Sequence, residues 1–370
     1  WPLAPRLIYV LPTQALCNQL GQRLANYAGK VSDKLVTQVH HGGHPADAWF
    51  MADIVVTTLD QFVYGYARAT SHVGRHLEAP AGSIANSFVV FDEAHLYQSG
   101  FTFSVLRAMI EILAAARVPF VLMTATLPRS LKQDLSEHVP FTEVTASEDA
   151  APGRSLTMDL RLDAPLVGEA GLNPDAAQKL KQARSALVVC NQVRTSQQVY
   201  RALKQSGVAP LHLVHSRFTA ADRKAHEEAV CALLAEDGPG GVVVSTQVCE
   251  AGLNVSADLL VTELAPADSL IQRSGRCARF GGNGRALVFG PSKYPYEAEH
   301  LTPTAEYLTN QPTLDLTSFA ATSAFADCVP YRVADVAAAD SLYDLYEATL
   351  YAGERPHQLT VREGKYVFAW

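Results

Sequence analysis

The sequence predicts an α/β protein of two domains built on parallel sheets, and three observations carry that expectation. The chain has 370 residues. Single cores stop growing near roughly 250–300 residues, so at about 150 residues per domain two domains and a small appendage are expected. A composition of 48% hydrophobic and 18% charged residues can bury a sizeable core and excludes a disordered or fibrous chain. Finally, short Val-, Ile- and Leu-rich runs recur without polar alternation, which is how strands covered on both faces of a parallel sheet read.

In chain order these runs are Leu7–Leu11, Asp53–Val56, Phe88–Phe91, Phe120–Met123, Ala186–Cys190, Gly241–Val244, Leu259–Thr262 and Ala286–Phe289. Helix-period stretches lie between them at Gln14–Tyr27, Val105–Ala116, Ser196–Lys204 and Ala220–Leu234. Strand and helix alternate, as in α/β folds. The rhythm breaks between Pro140 and Lys181, where Ala151-Pro152-Gly153 and Asn173-Pro174 punctuate the chain. The expected units are therefore 1–148 and 149–295, with 296–370 as a linker or accessory segment holding a helix-like Ala334–Leu350 and a β-rich Gln358–Trp370. No repeat with a period of 20 to 50 residues is visible.

Thirty Lys and Arg against 37 Asp and Glu leave a formal charge of -7. Nucleic acid, if bound, would then be held in a local groove and not by a basic shell. Six cysteines without a C-x-x-C pair read as reduced thiols of a cytoplasmic protein, not as a disulfide framework or zinc ribbon. The longest apolar runs fall far short of the roughly 20 residues of a membrane span. The chain starts Trp1-Pro2 with no signal-like segment, so it reads as a cut from a longer polypeptide.

The chemistry-bearing residues sit at strand ends. Phe88–Phe91 runs into Asp92-Glu93-Ala94-His95, and open α/β sheets place ligand groups at the carboxyl ends of their strands. An Asp there can hold Mg²⁺ and the adjacent Glu can orient an attacking water. The alternative is an acid capping the next helix. Phe120–Met123 ends in Thr124-Ala125-Thr126, two hydroxyls suited either to the acids or a phosphate, or to a local turn. In Gln272-Arg273-Ser274-Gly275-Arg276-Cys277-Ala278-Arg279, Arg276 and Arg279 share one face of a helix or turn and could clamp a triphosphate. A surface charge run is the plainer alternative.

Taken together, the order and spacing of these segments resemble the superfamily 2 helicases over roughly residues 7–290. Pro12–Leu16 resembles motif Ia, Thr57–Gln61 motif Ib, Asp92–His95 the DEAH box and Thr124–Thr126 motif III. Val188–Asn191 resembles motif IV, Ser245–Asn254 motif V and Gln272–Arg279 motif VI. Within that superfamily, Thr58–Gln61, His215–Phe218 followed by Asp222-Arg223, and Leu264–Leu270 resemble the CRISPR-associated helicase-nucleases of type I systems.

The resemblance implies two tandem RecA-like domains, the first incomplete, with ATP and Mg²⁺ as cofactors clasped between them. It implies Asp92 as the metal ligand and Glu93, Gln272, Arg276 and Arg279 as catalytic groups. His95, Thr124, Gly252 and Asn254 would complete the nucleotide site, and Thr13, Thr57, Asp60, Gln61 and Thr246 would contact nucleic acid. His95, Thr124 and Thr126 would couple the two. The implied activity is 3′-to-5′ translocation on single-stranded DNA, the displaced strand of an R-loop, after loading by the guide-RNA-bearing surveillance complex, Cascade. Because the guide reads the sequence, such a motor needs only sequence-tolerant backbone contacts. An HD nuclease domain would act in cis or in trans, and no membrane is involved.

Several features depart from that pattern. A Walker A loop, G-x-x-x-x-G-K-[ST], is absent, since Gly29-Lys30 precedes Val31 and Gly364-Lys365 precedes Tyr366. None of the twelve histidines is followed by Asp, so HD chemistry is not expected here. Asn254 stands where that family usually has Asp, which removes a charge near the metal. Cys277 reads as a passive filler. His40, His41 and His44 crowd one stretch, yet their spacing suits a Gly-rich loop better than a tetrahedral site. Two rival readings follow: a catalytically silent module that binds DNA or the surveillance complex, and another superfamily 2 motor acting on RNA or DNA.

Overall fold

The computed structural model describes residues 4–43, 48–70, 73, 76–97, 100–145, 154–250, 253–290, 294–311, 315, 316 and 318–330. It divides into two units between Thr142 and Glu143, the second ending at Pro330.

In the first unit the chain runs β1 (Arg6–Leu11), α1 (Gln14–Val31), β2 (Thr37–His40), β3 (Ile54–Thr58), α2 (Leu59–Tyr66), α3 (Glu78–Ala85), β4 (Ser87–Phe91), α4 (Gly100–Ala115), β5 (Phe120–Leu122) and α5 (Arg129–His138). The five strands pair in parallel in the order β2-β3-β1-β4-β5. Apolar side chains of β1, β3 and β4 bury completely, Ile8, Val10, Val55, Val89 and Phe91 among them, against α2 and α4 residues such as Phe62 and Leu106. Burying each such side chain contributes about 1.5–3 kcal/mol, so the central strands set the register of the strand-end loops. Thr13 caps α1 by accepting from the Leu16 N–H, which fixes where β1 stops and α1 begins.

The second unit runs β6 (Arg154–Arg161), β7 (Val167–Gly168), β8 (Gly171–Leu172), α6 (Pro174–Gln182), β9 (Ser185–Val189), α7 (Val193–Gln205), β10 (Leu211–Val214), α8 (Ala220–Leu233), β11 (Gly241–Ser245), β12 (Leu259–Glu263), α9 (Ala267–Ser274), β13 (Gly282–Phe289), α10 (Ala298–Asn310) and α11 (Phe319–Ala326). Its six-stranded sheet is parallel in the order β10-β11-β9-β12-β13-β6. Every residue of β9, β11 and β12 is buried, as continuous apolar runs require. α7 buries Ser196, Val199 and Leu203, the i, i+3, i+7 stripe of an amphipathic helix. Asn173 caps α6, with Pro174 in its first turn.

All eight expected strand runs are strands, each within a few residues of its expected ends. β2, β6, β7, β8 and β10 were not anticipated. β6 lies in the stretch where the rhythm breaks: it is an edge strand on β13, tied to it by Arg285 on Asp159 at 2.6 Å, and its burial pattern is too mixed to read as an apolar run. α10 and α11 pack on α9 within the second unit. The expected Ala334–Leu350 helix and Gln358–Trp370 strands lie outside the described residues. No helix among the described residues is long and apolar enough to cross a membrane, and all six cysteines are free thiols.

Candidate functional site

In the first unit β4 lies between β1 and β5, and its carboxyl end presents the acid pair. The Asp92 N–H donates to the Val10 carbonyl at 3.0 Å, which extends the sheet by one residue beyond β4. There the chain turns sharply, with Glu93 at φ +54°, a left-handed conformation that non-glycine residues adopt at a cost. The Glu93 N–H donates to Asp92 Oδ1 at 2.8 Å, and residues Ala94–Tyr97 form one 3₁₀ turn. Asp92 therefore braces this turn and does not cap a long helix, which sets aside the plainer expectation for the pair.

Burial pushes the Asp92 carboxyl up, with the Glu93 N–H pulling it part of the way back. A half-buried acid with that imbalance is suited to a cation, and burial together with Asp92 also raises the Tyr9 phenol. His95 is 3% exposed. Its Nδ1 lies 3.5 Å from Glu93 Oε2 and 3.4 Å from Thr124 Oγ1, and the Thr124 hydroxyl donates to the Thr126 carbonyl at 2.8 Å. The ends of β4 and β5 are thus joined through Glu93, His95 and Thr124. Thr126 Oγ1 is buried with no hydrogen-bond partner.

In the second unit the arginine segment is built differently. α9 ends at Ser274 with Gly275 as its cap, so Arg276 and Arg279 lie in the turn beyond it and not on one helical face. Arg276 is 8% exposed, donating from Nε to the Cys249 carbonyl at 3.1 Å and from Nη2 to the Glu250 carbonyl at 2.8 Å. Arg279 is exposed, its N–H donating to Ser256 Oγ at 2.9 Å. Gln272 is half-buried on α9.

Beneath them lies Arg273, which is fully buried. It donates from Nε to Glu250 Oε1 at 2.7 Å, from Nη1 to Thr262 Oγ1 at 2.8 Å and to the Glu263 carbonyl at 3.1 Å, and from Nη2 to the Tyr296 hydroxyl at 3.2 Å. Burial opposes the Arg273 charge, and Glu250 restores it and keeps the guanidinium protonated. Conversely, burial raises the Glu250 carboxyl and Arg273 counters the shift. Glu263 accepts from the Asn191 N–H at 2.6 Å, which ties the ends of β9 and β12 together.

Among the expected nucleic-acid contacts, Thr13 is exposed, while Asp60 and Gln61 are half-buried on the first turn of α2. Thr57 is wholly buried, and its hydroxyl is directed at the Thr58 carbonyl, 3.4 Å away. Thr246 is enclosed too, at 3% exposure. Asn254 is exposed, and Gly252 lies outside the described residues. His40 packs edge-on against Phe50 and His41 bonds Asn18, whereas His44 is not among the described residues. No group of three metal-ligating side chains forms among those described.

Sequence reasoning assigned no role to Glu250, Arg273, Glu263 or Tyr296. Arg273 could have been found from its place one helical turn before Arg276, but Tyr296 lies in the segment expected to be a linker and gave no signal.

The fold and these strand-end clusters define a class, the superfamily 2 helicases with two RecA-like domains. A DEAD/DEAH box helicase family matches residues 3–134, and the C-terminal part of the CRISPR-associated nuclease/helicase Cas3 family matches residues 182–282. The chain is 30% identical to the CRISPR-associated helicase Cas3 of Thermoproteus tenax across 79% of this chain and 52% of that one. Its fold is similar to the crystal structure of T. fusca Cas3 with ADP, at TM-score 0.72, 24% identity, 95% of this chain and 49% of that one. It is also similar to a chain of a pre-nicking CRISPR RNA-guided surveillance complex, at TM-score 0.66, 21% identity, 94% of this chain and 48% of that one. The chain belongs to the CRISPR-associated superfamily 2 helicases. It spans 36%, 40% and 52% of the lengths of three curated relatives.

Proposed function

We propose that this chain is the motor core of an ATP-dependent helicase that moves 3′-to-5′ on single-stranded DNA in type I CRISPR interference. The observation that carries the reading is the join between Glu93, His95 and Thr124, which ties the acid that would act on water to a neighbouring strand end. In this reading each unit brings one half of the chemistry to ATP. Asp92 would hold Mg²⁺, whose role is to neutralise phosphate charge; its carboxyl, raised by burial and held by one backbone N–H, fits that ligand. Glu93 would orient the attacking water. Arg276 and Arg279 would neutralise charge developing on the transferred phosphoryl group, with Gln272 beside them. His95 and Thr124 would pass the state of that site to the DNA-contacting segments. Thr13 and Gln61 are the best-placed contacts there, one exposed and one half-buried, and neither side chain carries a negative charge that would repel a phosphate.

The partners in this reading are the displaced strand of an R-loop, the guide-RNA-bearing surveillance complex, Cascade, and an HD nuclease domain in cis or in trans. The matched chain of a surveillance complex supports the second of these. Residues 1–370 carry no Walker A loop, so this stretch by itself is expected to hydrolyse no ATP. The same feature favours the rival, a silent DNA-binding module.

Unwinding by the full-length polypeptide separates the readings. Duplexes with a 3′ tail should open in the presence of ATP and Mg²⁺, whereas 5′-tailed and RNA duplexes should remain closed. Binding to all tails without opening would establish the silent module, and preferential opening of RNA would establish an RNA motor, for which 2′-hydroxyl contacts are diagnostic.

A further inference from the structure

The segment after β13 returns across the carboxyl ends of the second sheet. The Tyr294 carbonyl accepts from Gln192 Nε2 at 3.3 Å, just beyond β9. Two residues on, Tyr296 inserts its hydroxyl between α9 and the turn after β11. The hydroxyl lies 3.2 Å from Arg273 Nη2 and 3.4 Å from Ser269 Oγ, and it is bonded to the Gln247 side chain. Gln247 in turn donates to the Asn191 carbonyl at 3.0 Å. One phenol therefore links strand-end segments of β9, β11 and α9.

Arg273 is the group this link acts on. It is fully buried, and three protein groups besides Tyr296 satisfy it. The Arg273 carbonyl accepts the Arg276 N–H at 2.9 Å, and the residue that pairs with Arg273, Glu250, holds the Arg276 guanidinium through its own carbonyl. A displacement of Arg273 thus reaches Arg276 by two routes, through the backbone and through Glu250. The outer Nη2 edge of Arg273 is the part Tyr296 holds, so removing that hydroxyl frees the guanidinium to tilt within its pocket.

We infer that Tyr296 is a positioning residue that fixes Arg276 by completing the hydrogen bonding of Arg273. Tyr296 touches neither nucleotide nor DNA in this account. It makes the chain beyond β13 part of the arginine machinery and not a passive linker. The geometric part stands on contacts within the second unit alone, and the kinetic consequence rests on the proposed ATPase.

The test uses the full-length polypeptide and Tyr296→Phe, which keeps the ring and removes only the hydroxyl. Arginine accessibility is read first, as the rate of phenylglyoxal modification at each arginine by peptide mass spectrometry. Arg276 should react roughly three- to tenfold faster in Tyr296→Phe, the range of one ordinary hydrogen bond, while Arg279, which is exposed, and Arg107 of the first unit, which is buried, keep their rates. An unchanged Arg276 rate would overturn the inference, and so would a uniform rise at all three arginines, which would mean general loosening.

ATP turnover is read second. The variant should lower kcat about five- to tenfold with KM for ATP unchanged. In an Arg273→Lys background, which has no Nη2, the same substitution should cost nothing further. Additive losses would mean that the hydroxyl acts independently of Arg273 and would overturn the inference. If the wild type turned over no ATP, the functional reading would fail while the modification rates would still decide the positioning role.

Discussion

At the end of β4, Asp92 accepts one backbone N–H and its carboxyl is raised by burial, and Glu93 keeps 35% of its side chain exposed. At the ends of β11 and β12, Arg273 is fully enclosed and makes four hydrogen bonds, one of them to a buried carboxylate. Both regions are strand-end clusters on parallel sheets, yet the first is left under-satisfied and the second is over-determined. In the proposed function the difference would follow from what each holds: a carboxylate that receives a cation would carry unmet charge, whereas a guanidinium that sits at a fixed distance from phosphate would need an anchor beneath it. A backbone turn sets the direction of the acids, and the residue paired with the buried Arg273 holds the Arg276 guanidinium.

The largest effect expected from that contrast is at Glu250. Glu250→Gln leaves Arg273 as a buried charge without its counter-ion, and breaking such a pair costs about 3–5 kcal/mol. The same exchange at Glu93, which lies 3.5 Å from His95 and keeps 35% of its side chain exposed, should stay within about 0.5 kcal/mol. Urea unfolding of the two variants measures both, and equal losses would remove the contrast.

A smaller effect of opposite sign is expected at Asp92. Its folded carboxyl is raised by burial, so the folded state binds the proton more tightly, and stability falls as pH rises from 3.8 through the folded value. Asp92→Asn should therefore unfold at a higher temperature than the wild type at neutral pH. The gap should close below about pH 4, where both states of the wild type are protonated. Thermal unfolding at the two pH values checks this, and a destabilised variant at neutral pH would show that the carboxylate is already satisfied.

The smallest effect on stability is expected at Arg279, which is exposed. Arg279→Ala should shift stability by less than about 0.5 kcal/mol while still lowering turnover. A variant with wild-type turnover would confine the arginine chemistry to Arg276.

Much of this was legible in the sequence because continuous apolar runs admit one reading. Leu187 and Val243 have to be covered on both faces, and the chemistry then falls where such runs end, at Asp92 and near Arg276. β6 was not legible, since an edge strand that buries one of eight residues carries no apolar run. The enclosure of Thr57 was not legible either, because its motif position says nothing about which face of β3 is enclosed. Tyr296 was invisible for a different reason: its partner Arg273 looks like a surface charge in the sequence, and only the fold shows it buried. The Glu93 turn was hidden too, since a left-handed φ at a non-glycine residue leaves no mark in composition.

In the proposed function the acids Asp92 and Glu93 and the arginines Arg276 and Arg279 serve one ATPase. Its most direct measurement is ATP hydrolysis by the full-length polypeptide with and without single-stranded DNA, for the wild type, Glu93→Gln and Arg276→Ala. The account predicts DNA-stimulated turnover that falls at least about a hundredfold in both variants, as expected for groups acting in the transition state. Wild-type turnover that survives either substitution, or an intact polypeptide with no turnover at all, would contradict it.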